Sequence, residues 1–186
     1  ARSRRAKDGA NVFPMTSKYS AENAKVRVFT YKEGLLSAVA HDLEIEVPVF
    51  SIEVEEETIR ATFFARSLRV LHAIEAGSPK PGKLSDRDKK TIESNIASDV
   101  LQSARYPEIR FEGTRSGEAQ QISIEGTLSI AGRSRKVRLE ARKQDGTWNA
   151  ETTIHQPDFG IKPYSAMLGA LKIKPDIRVT FSLTES

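Results

Sequence analysis

The chain has 186 residues, 29 Lys+Arg against 25 Asp+Glu, 38% hydrophobic residues and no cysteine. That length suits one ordinary domain burying roughly 70% of its unfolded surface, and the missing cysteines exclude a disulfide scaffold, a thiolate metal site and a cysteine nucleophile. No uncharged apolar run approaches the ~20 residues of a membrane-spanning helix. The net charge of +4 and the pI near 9.3 invite a nucleic-acid reading, which the position of the charge weakens. Arg2, Arg4, Arg5, Lys7 and Lys18 against Asp8 give residues 1–18 a surplus of +4, so the rest of the chain is neutral.

Residues 1–20 therefore read as a disordered basic tail, suited to peripheral contact with an anionic membrane, and residues 21–186 as the domain. The tail lacks the apolar core of a secretory signal, which favours the cytoplasm, or the periplasm if a leader was removed. Strands are expected over 24–31, 37–47, 49–55 and 58–70, with Pro48 separating the second and third. Pro79 and Pro81 mark a loop. Ser85 and Asp88 then form a capping box, and Ile92, Ile96 and Val100 follow at helical spacing on one face. Pro107 to Thr114 opens a second run of strands.

Alternation is clearest in that second run. Ile122, Ile124, Leu128 and Ile130 share one side with Gly126, and Val137, Leu139 and Ala141 share one side of the next strand. Trp148, Ala150, Thr152 and Ile154 follow, then Ile177, Val179, Phe181 and Leu183. Strands with one apolar and one polar face belong to antiparallel sheets, and Ala131-Gly132 and Gln144-Asp145-Gly146 supply hairpin turns. About eight such strands with one α-helix predict an all-β, antiparallel, lipocalin-like barrel, whose interior is filled by side chains or holds one ligand.

Three segments carry a family likeness. Tyr106-Pro107-Glu108-Ile109-Arg110-Phe111, then Gly126-Thr127-Leu128-Ser129-Ile130-Ala131-Gly132, then Pro157-Asp158-Phe159-Gly160-Ile161 resemble, in order and spacing, the YceI-like, polyisoprenoid-binding, lipocalin-like proteins. The likeness runs from about residue 24 to 184. It implies a long barrel with a hydrophobic tunnel for an isoprenoid or other lipid tail, in binding proteins that are often periplasmic and share no known catalytic residues. The chain departs from the family in two places. His155-Gln156-Pro157 stands where an Arg usually precedes Asp-Phe-Gly, and Val39-Ala40-His41-Asp42 stands where the family often has His-Ser.

His41 falls in step with Ser37, Val39, Leu43, Ile45 and Val47, so it projects with the apolar set. A polar ring there needs a partner, either a ligand head group or another side chain. The apolar connection from Lys162 to Leu171, with Tyr164, Met167 and Leu168, reads as a lid or tunnel rim, or as a satellite of the core. Phe63, Phe111, Trp148 and Phe159 line or fill the interior, together with Val39, Leu43, Ile124, Leu128 and Ile154. The cations Arg133, Arg135, Lys136, Arg138, Arg142 and Lys143 form a basic hairpin, facing anionic partners or simply solvent. His41, His72 and His155 lie far apart, so no metal ligand set is read, and no cofactor. There is no nucleophile elbow, and His41 and Asp42 point to opposite faces, so enzymatic hydrolysis is set aside.

The expectation is a barrel that binds, sequesters or carries an isoprenoid or fatty-acid-like lipid. The alternative is an interaction module with a filled core, acting through its outer surface and basic tail. Nucleic acid is not expected as a partner, and a homodimer stays open.

Overall fold

The computed structural model describes residues 16–34 and 40–185. Its fourteen strands are β1 (Thr16–Tyr19), β2 (Ala24–Thr30), β3 (Asp42–Glu46), β4 (Phe50–Glu55), β5 (Thr58–Phe64), β6 (Arg69–Glu75), β7 (Ser78–Lys80), β8 (Glu108–Glu118), β9 (Gln121–Ile130), β10 (Arg133–Gln144), β11 (Thr147–His155), β12 (Ser165–Ala166), β13 (Leu171–Lys172) and β14 (Asp176–Thr184). Helix α1 (Asp86–Asn95) runs on into a single π-turn at Ile96–Val100. The fold is all-β and antiparallel with one helix, as the alternation predicts, although it has more strands than eight.

Twelve strands form one antiparallel sheet in the order β1-β4-β5-β8-β9-β10-β11-β14-β2-β3-β6-β7. Two short connections explain why this sheet curls. Only Val47, Pro48 and Val49 link β3 to β4, yet these strands sit near opposite ends of the order. Three residues reach at most about 14 Å, so the two ends of the sheet must come together. The link from β5 to β6, built on a 3₁₀ turn at Ala65–Ser67, crosses the same seam. The sheet is thus drawn into an open-edged barrel, bridged by covalent links and not by a continuous hydrogen-bonded ladder.

Three details differ from the sequence expectation. The strand expected over 58–70 is two strands, because Ala65–Ser67 turns inward, with Ala65 and Ser67 buried and Ser67 Oγ donating to the Phe64 carbonyl at 2.7 Å. The expected proline loop contains β7, paired to β6 at the end of the sheet. Pro79 is tolerated there because an edge strand can leave one side of its backbone unpaired. Lastly, Thr16–Tyr19, placed within the tail by sequence, pairs with β4, and Lys18 lies 3.2 Å from Glu53.

Hairpin tips follow the expected chemistry. Ala131-Gly132 and Asp145-Gly146 both have positive φ at each central residue, which matches the twist of the flanking strands. The helix start also forms as read. Ser85 Oγ accepts from Asp88 N–H at 3.2 Å and Asp88 Oδ2 accepts from Ser85 N–H at 3.0 Å. The Ser85 hydroxyl also donates to Asp88 Oδ2 at 2.7 Å, and that bond, then the one from Ser85 N–H, holds the Asp88 carboxyl below its ordinary range. Glu93 Oε1 accepts from Val70 N–H at 2.8 Å, which docks the helix on β6.

The outer face is charged. Arg27 on β2 bridges Glu44 and Glu46 on β3 at 3.4 and 2.9 Å, and His72 on β6 reaches Glu44 at 2.8 Å. Arg138 of the basic hairpin lies 3.1 Å from Glu125 and 3.3 Å from Glu140, so part of that hairpin's charge is locally balanced. The inner face carries the apolar set, in one large cluster and a small one around Trp148.

Candidate ligand-binding cavity

The inner face encloses a cavity of about 780 Å³. Every inward-facing set read from the alternation lies on its wall: Ile122, Ile124, Leu128 and Ile130, then Val137, Leu139 and Ala141, then Trp148 to Ile154, then Ile177 to Leu183. The helix contributes Ile92, followed by Ile96 and Val100 from the π-turn. At ~3.3 Å per residue, the inward stretch of β9 from Ile122 to Ile130 spans roughly 26 Å. The cavity is a tunnel along the barrel.

Glycines make room within it. Gly113 on β8 and Gly126 on β9 face each other in register, and a Cβ on either would stand 2.7 or 2.6 Å from Phe111 Cζ. The Phe111 ring lies across this bare patch of backbone and does not project into the lumen. Ala61, Ala141 and Ala150 are further small residues on the wall.

Polarity gathers at the two ends. At the helix end the wall includes His41, Lys83, Arg87, Asp88, Thr91 and Asn95. Asn95 Nδ2 donates to the Tyr164 hydroxyl at 3.0 Å, and Lys83 pairs with Glu75 at 3.0 Å. Thr30 lies in register with Leu43, one pair inside His41 on the same face. Its buried hydroxyl has no hydrogen-bond partner among the described residues. Gln156, 5% exposed, lines this region too and donates to the Lys174 carbonyl at 3.1 Å.

At the far end Trp148 Nε1 donates to Glu185 Oε1 at 3.0 Å. Lys143 pairs with the other carboxylate oxygen and lies 5.7 Å from the indole centroid. Tyr19 and Arg115 stand beside them on the wall. Burial, then the nearby Glu185 carboxylate, raises the Tyr19 phenol above its ordinary pKa. The hairpin tips are tied here as well, Lys143 N–H to the Gln120 carbonyl and Thr184 N–H to the Asn23 carbonyl, each at 2.9 Å.

Among the residues named from sequence, His41, Leu43, Phe63 and Phe111 line the tunnel, as do Ile124, Leu128, Trp148, Ile154 and Tyr164. Three others do not. Phe159 is buried at 3% exposure in the core behind the wall, at the end of a 3₁₀ turn that Gly160 closes with φ 68°. Met167 and Leu168 face outward at 64% and 110% exposure, because Lys162 to Leu171 is not one long loop. Its centre folds into the β12–β13 ribbon, whose turn throws both side chains away from the barrel. Val39 lies outside the described residues.

His41 sits at the rim just before β3, partly exposed and not deep in the barrel. His72 and His155 lie elsewhere, His155 paired with Asp176 at 2.6 Å on the surface. Sequence reasoning missed Thr30, Gln156, Tyr19 and Arg115. Thr30 continues the inward set Val26 and Val28, so its period was readable. Tyr19 was masked by its place in a polar segment.

Comparison with known proteins follows the same lines. A family model of the YceI-like domain matches residues 19–184. BcnA of Burkholderia cenocepacia superposes with a TM-score of 0.63 at 14% identity, covering 90% of this chain and 99% of that one. A polyisoprenoid binding domain from Saccharophagus degradans, implicated in plant cell wall breakdown, gives a TM-score of 0.60 at 12% identity over 91% and 96% of the two chains. At those identities the likeness is one of fold. No curated protein matches the sequence. With the family model spanning nearly the whole described barrel, the chain belongs to the YceI-like domain family.

Proposed function

We propose that this protein binds, sequesters or carries one isoprenoid or other long-chain apolar molecule in its tunnel, acting by binding and not by turnover. The observation that carries the reading is the 780 Å³ cavity walled by the apolar faces of the sheet. A side-chain-filled barrel, the premise of the interaction-module alternative, does not leave such a space. If each non-hydrogen atom takes roughly the 30 Å³ of a water molecule, the cavity holds about 25 of them. That is a tail of about five isoprene units, or a fatty chain with its head group.

Burial supplies the affinity. Twenty methylenes at about 0.8 kcal/mol each give a gross gain near 16 kcal/mol, which exceeds or offsets the roughly 4–15 kcal/mol cost of immobilising a ligand. Few polar contacts are then needed. The rim around His41, Thr30 and Asn95 is where a head group finds donors and acceptors. The test is organic extraction of the purified protein with mass spectrometry, alongside native mass measurement. A near-stoichiometric long-chain apolar compound is expected. A clean unliganded mass, with no binding of added prenyl alcohols or fatty acids, refutes the reading.

A further inference from the structure

The β12–β13 ribbon carries a feature that the tunnel does not use. Its turn holds Met167 and Leu168 at φ 54° and 56°, followed by Gly169 at φ 88°. Two consecutive non-glycine residues in the left-handed region are disfavoured by their own Cβ atoms. The result of that strain is to display two large apolar side chains outside the barrel, Leu168 as exposed as in an extended peptide. Strain of this kind persists where surrounding structure enforces it, commonly at functional positions.

The surroundings do enforce it. Ile173 N–H donates to the Tyr164 carbonyl at 3.0 Å, Lys174 N–H to the Tyr31 carbonyl at 2.8 Å, and Glu33 N–H to the Lys172 carbonyl at 2.9 Å. The ribbon is therefore mounted on the end of β2 and its continuation. It is also mounted at the tunnel mouth, because Tyr164, Leu171 and Ile173 line the cavity. The intervening positions of the same segment, Lys172 and Lys174, face solvent with Lys162, and Lys172 Cε stands 3.3 Å from where a Cβ on Gly169 would lie. None of these three lysines forms an ion pair with a described residue. From Phe159 to Pro175 there is no acidic residue, and Glu33 is the acid nearest along the pairing.

We propose that this apolar tip with its lysine collar is a docking element for an anionic phospholipid bilayer, seating the tunnel mouth on the membrane surface. Exposed apolar side chains rimmed by polar ones mark interaction sites. The combination matches a bilayer interface, where acyl chains receive the Leu and Met and anionic head groups receive the lysines. A second copy of the chain matches it less well, since two lysine collars repel. The proposal goes beyond the cavity reading and does not depend on what fills the tunnel.

The test uses the full chain and co-sedimentation with vesicles of phosphatidylcholine, alone or with roughly one-third phosphatidylglycerol. Binding is expected only to the anionic vesicles. The fully exposed double substitution Met167→Ser with Leu168→Ser is expected to weaken it about tenfold or more, with melting temperature and loading of a prenyl alcohol in solution unchanged. Because the chain has no cysteine, Leu168→Cys carrying an environment-sensitive dye reports insertion directly, by a blue shift on anionic vesicles. Equal sedimentation of the double variant overturns the proposal, since the basic residues 1–15 then suffice. So does a dye that stays in water, or a wild-type protein that binds no vesicles. A dimer that dissociates in the double variant would assign the tip to self-association instead. Loss of solution loading alone would count against the cavity reading, not this one.

Discussion

Replacing Trp148 with Ala tests whether the far end of the tunnel measures the length of its ligand. The cavity holds about 25 non-hydrogen atoms at ~30 Å³ each, and Trp148 and Glu185, the latter paired with Lys143, line its far end. Affinity for prenyl alcohols is then expected to rise by about 0.8 kcal/mol, roughly fourfold, per added methylene equivalent. The rise stops near five isoprene units. Removing the indole takes away about nine atoms, so the break in Trp148→Ala moves one to two units further at a similar volume per atom. Truncating a buried aromatic costs about 3–5 kcal/mol of stability, so thermal melting must accompany the binding assay. Glu185→Ala, which leaves the indole in place and acts at a half-exposed carboxylate, is the milder companion and is expected to move the break less. Competition against a fluorescent fatty probe, with prenyl alcohols of increasing length, gives the profile. The reasoning fails if wild-type affinity climbs without a break, or if the break stays put in Trp148→Ala.

Two further expectations concern the wall and the clasp. Gly126→Val would place a Cβ 2.4 Å from the Glu112 carbonyl oxygen and 2.6 Å from Phe111 Cζ, so the strand or the ring must move; a loss of about 1–3 kcal/mol, typical of overpacking, is expected in chemical denaturation, and an unchanged midpoint would show the ring to be freely displaceable. The Glu185 carboxyl is held below its ordinary range chiefly by the hydrogen bond from Lys143, helped by that from Trp148 against opposing desolvation. A lowered folded-state pKa means the clasp is fully made above the ordinary carboxylate range and is lost as the pH falls through the lower folded value. Trp148 is the only tryptophan, so its emission should change on acidification below about pH 4.3. Glu185→Gln, which keeps an acceptor but cannot titrate, should abolish that change.

The fold was readable because the strands are long and one-sided. From Gln121 to Thr184 each inward residue named by the period of two, Gly126 aside, stands on the cavity wall, since a one-residue slip would turn every apolar side chain outward. The same rule failed where the chain changes direction without a glycine or proline to announce it. Ala65-Arg66-Ser67 continues an apolar run, and only the closure of the seam shows that it is a turn. The proline pair at 79 and 81 misled in the opposite sense. Proline excludes a central strand, but the end of the sheet has no such requirement. Met167 and Leu168 misled because apolar character predicts an inward position, whereas the positive φ at both residues turns them out.

Whether the barrel was hollow was harder to read, because a lining and a filling use the same aliphatic and aromatic residues. The discriminating signal lies in the small inward positions. Gly113 and Gly126 stand side by side on adjacent strands where two inward side chains could have met on the wall, and Phe111 covers the gap they leave by lying along it. Ala61, Ala141 and Ala150 repeat the pattern on three further strands. A barrel of this kind needs large residues at most inward positions to reach interior density, and five small ones on five strands leave it short. The alternation in the sequence thus holds two messages: its period gives the wall, and the size of its inward members gives the space inside. The polar ends were least visible, since Thr30, Gln156 and Arg115 come from separate parts of the chain and meet the tunnel only once the sheet has curled.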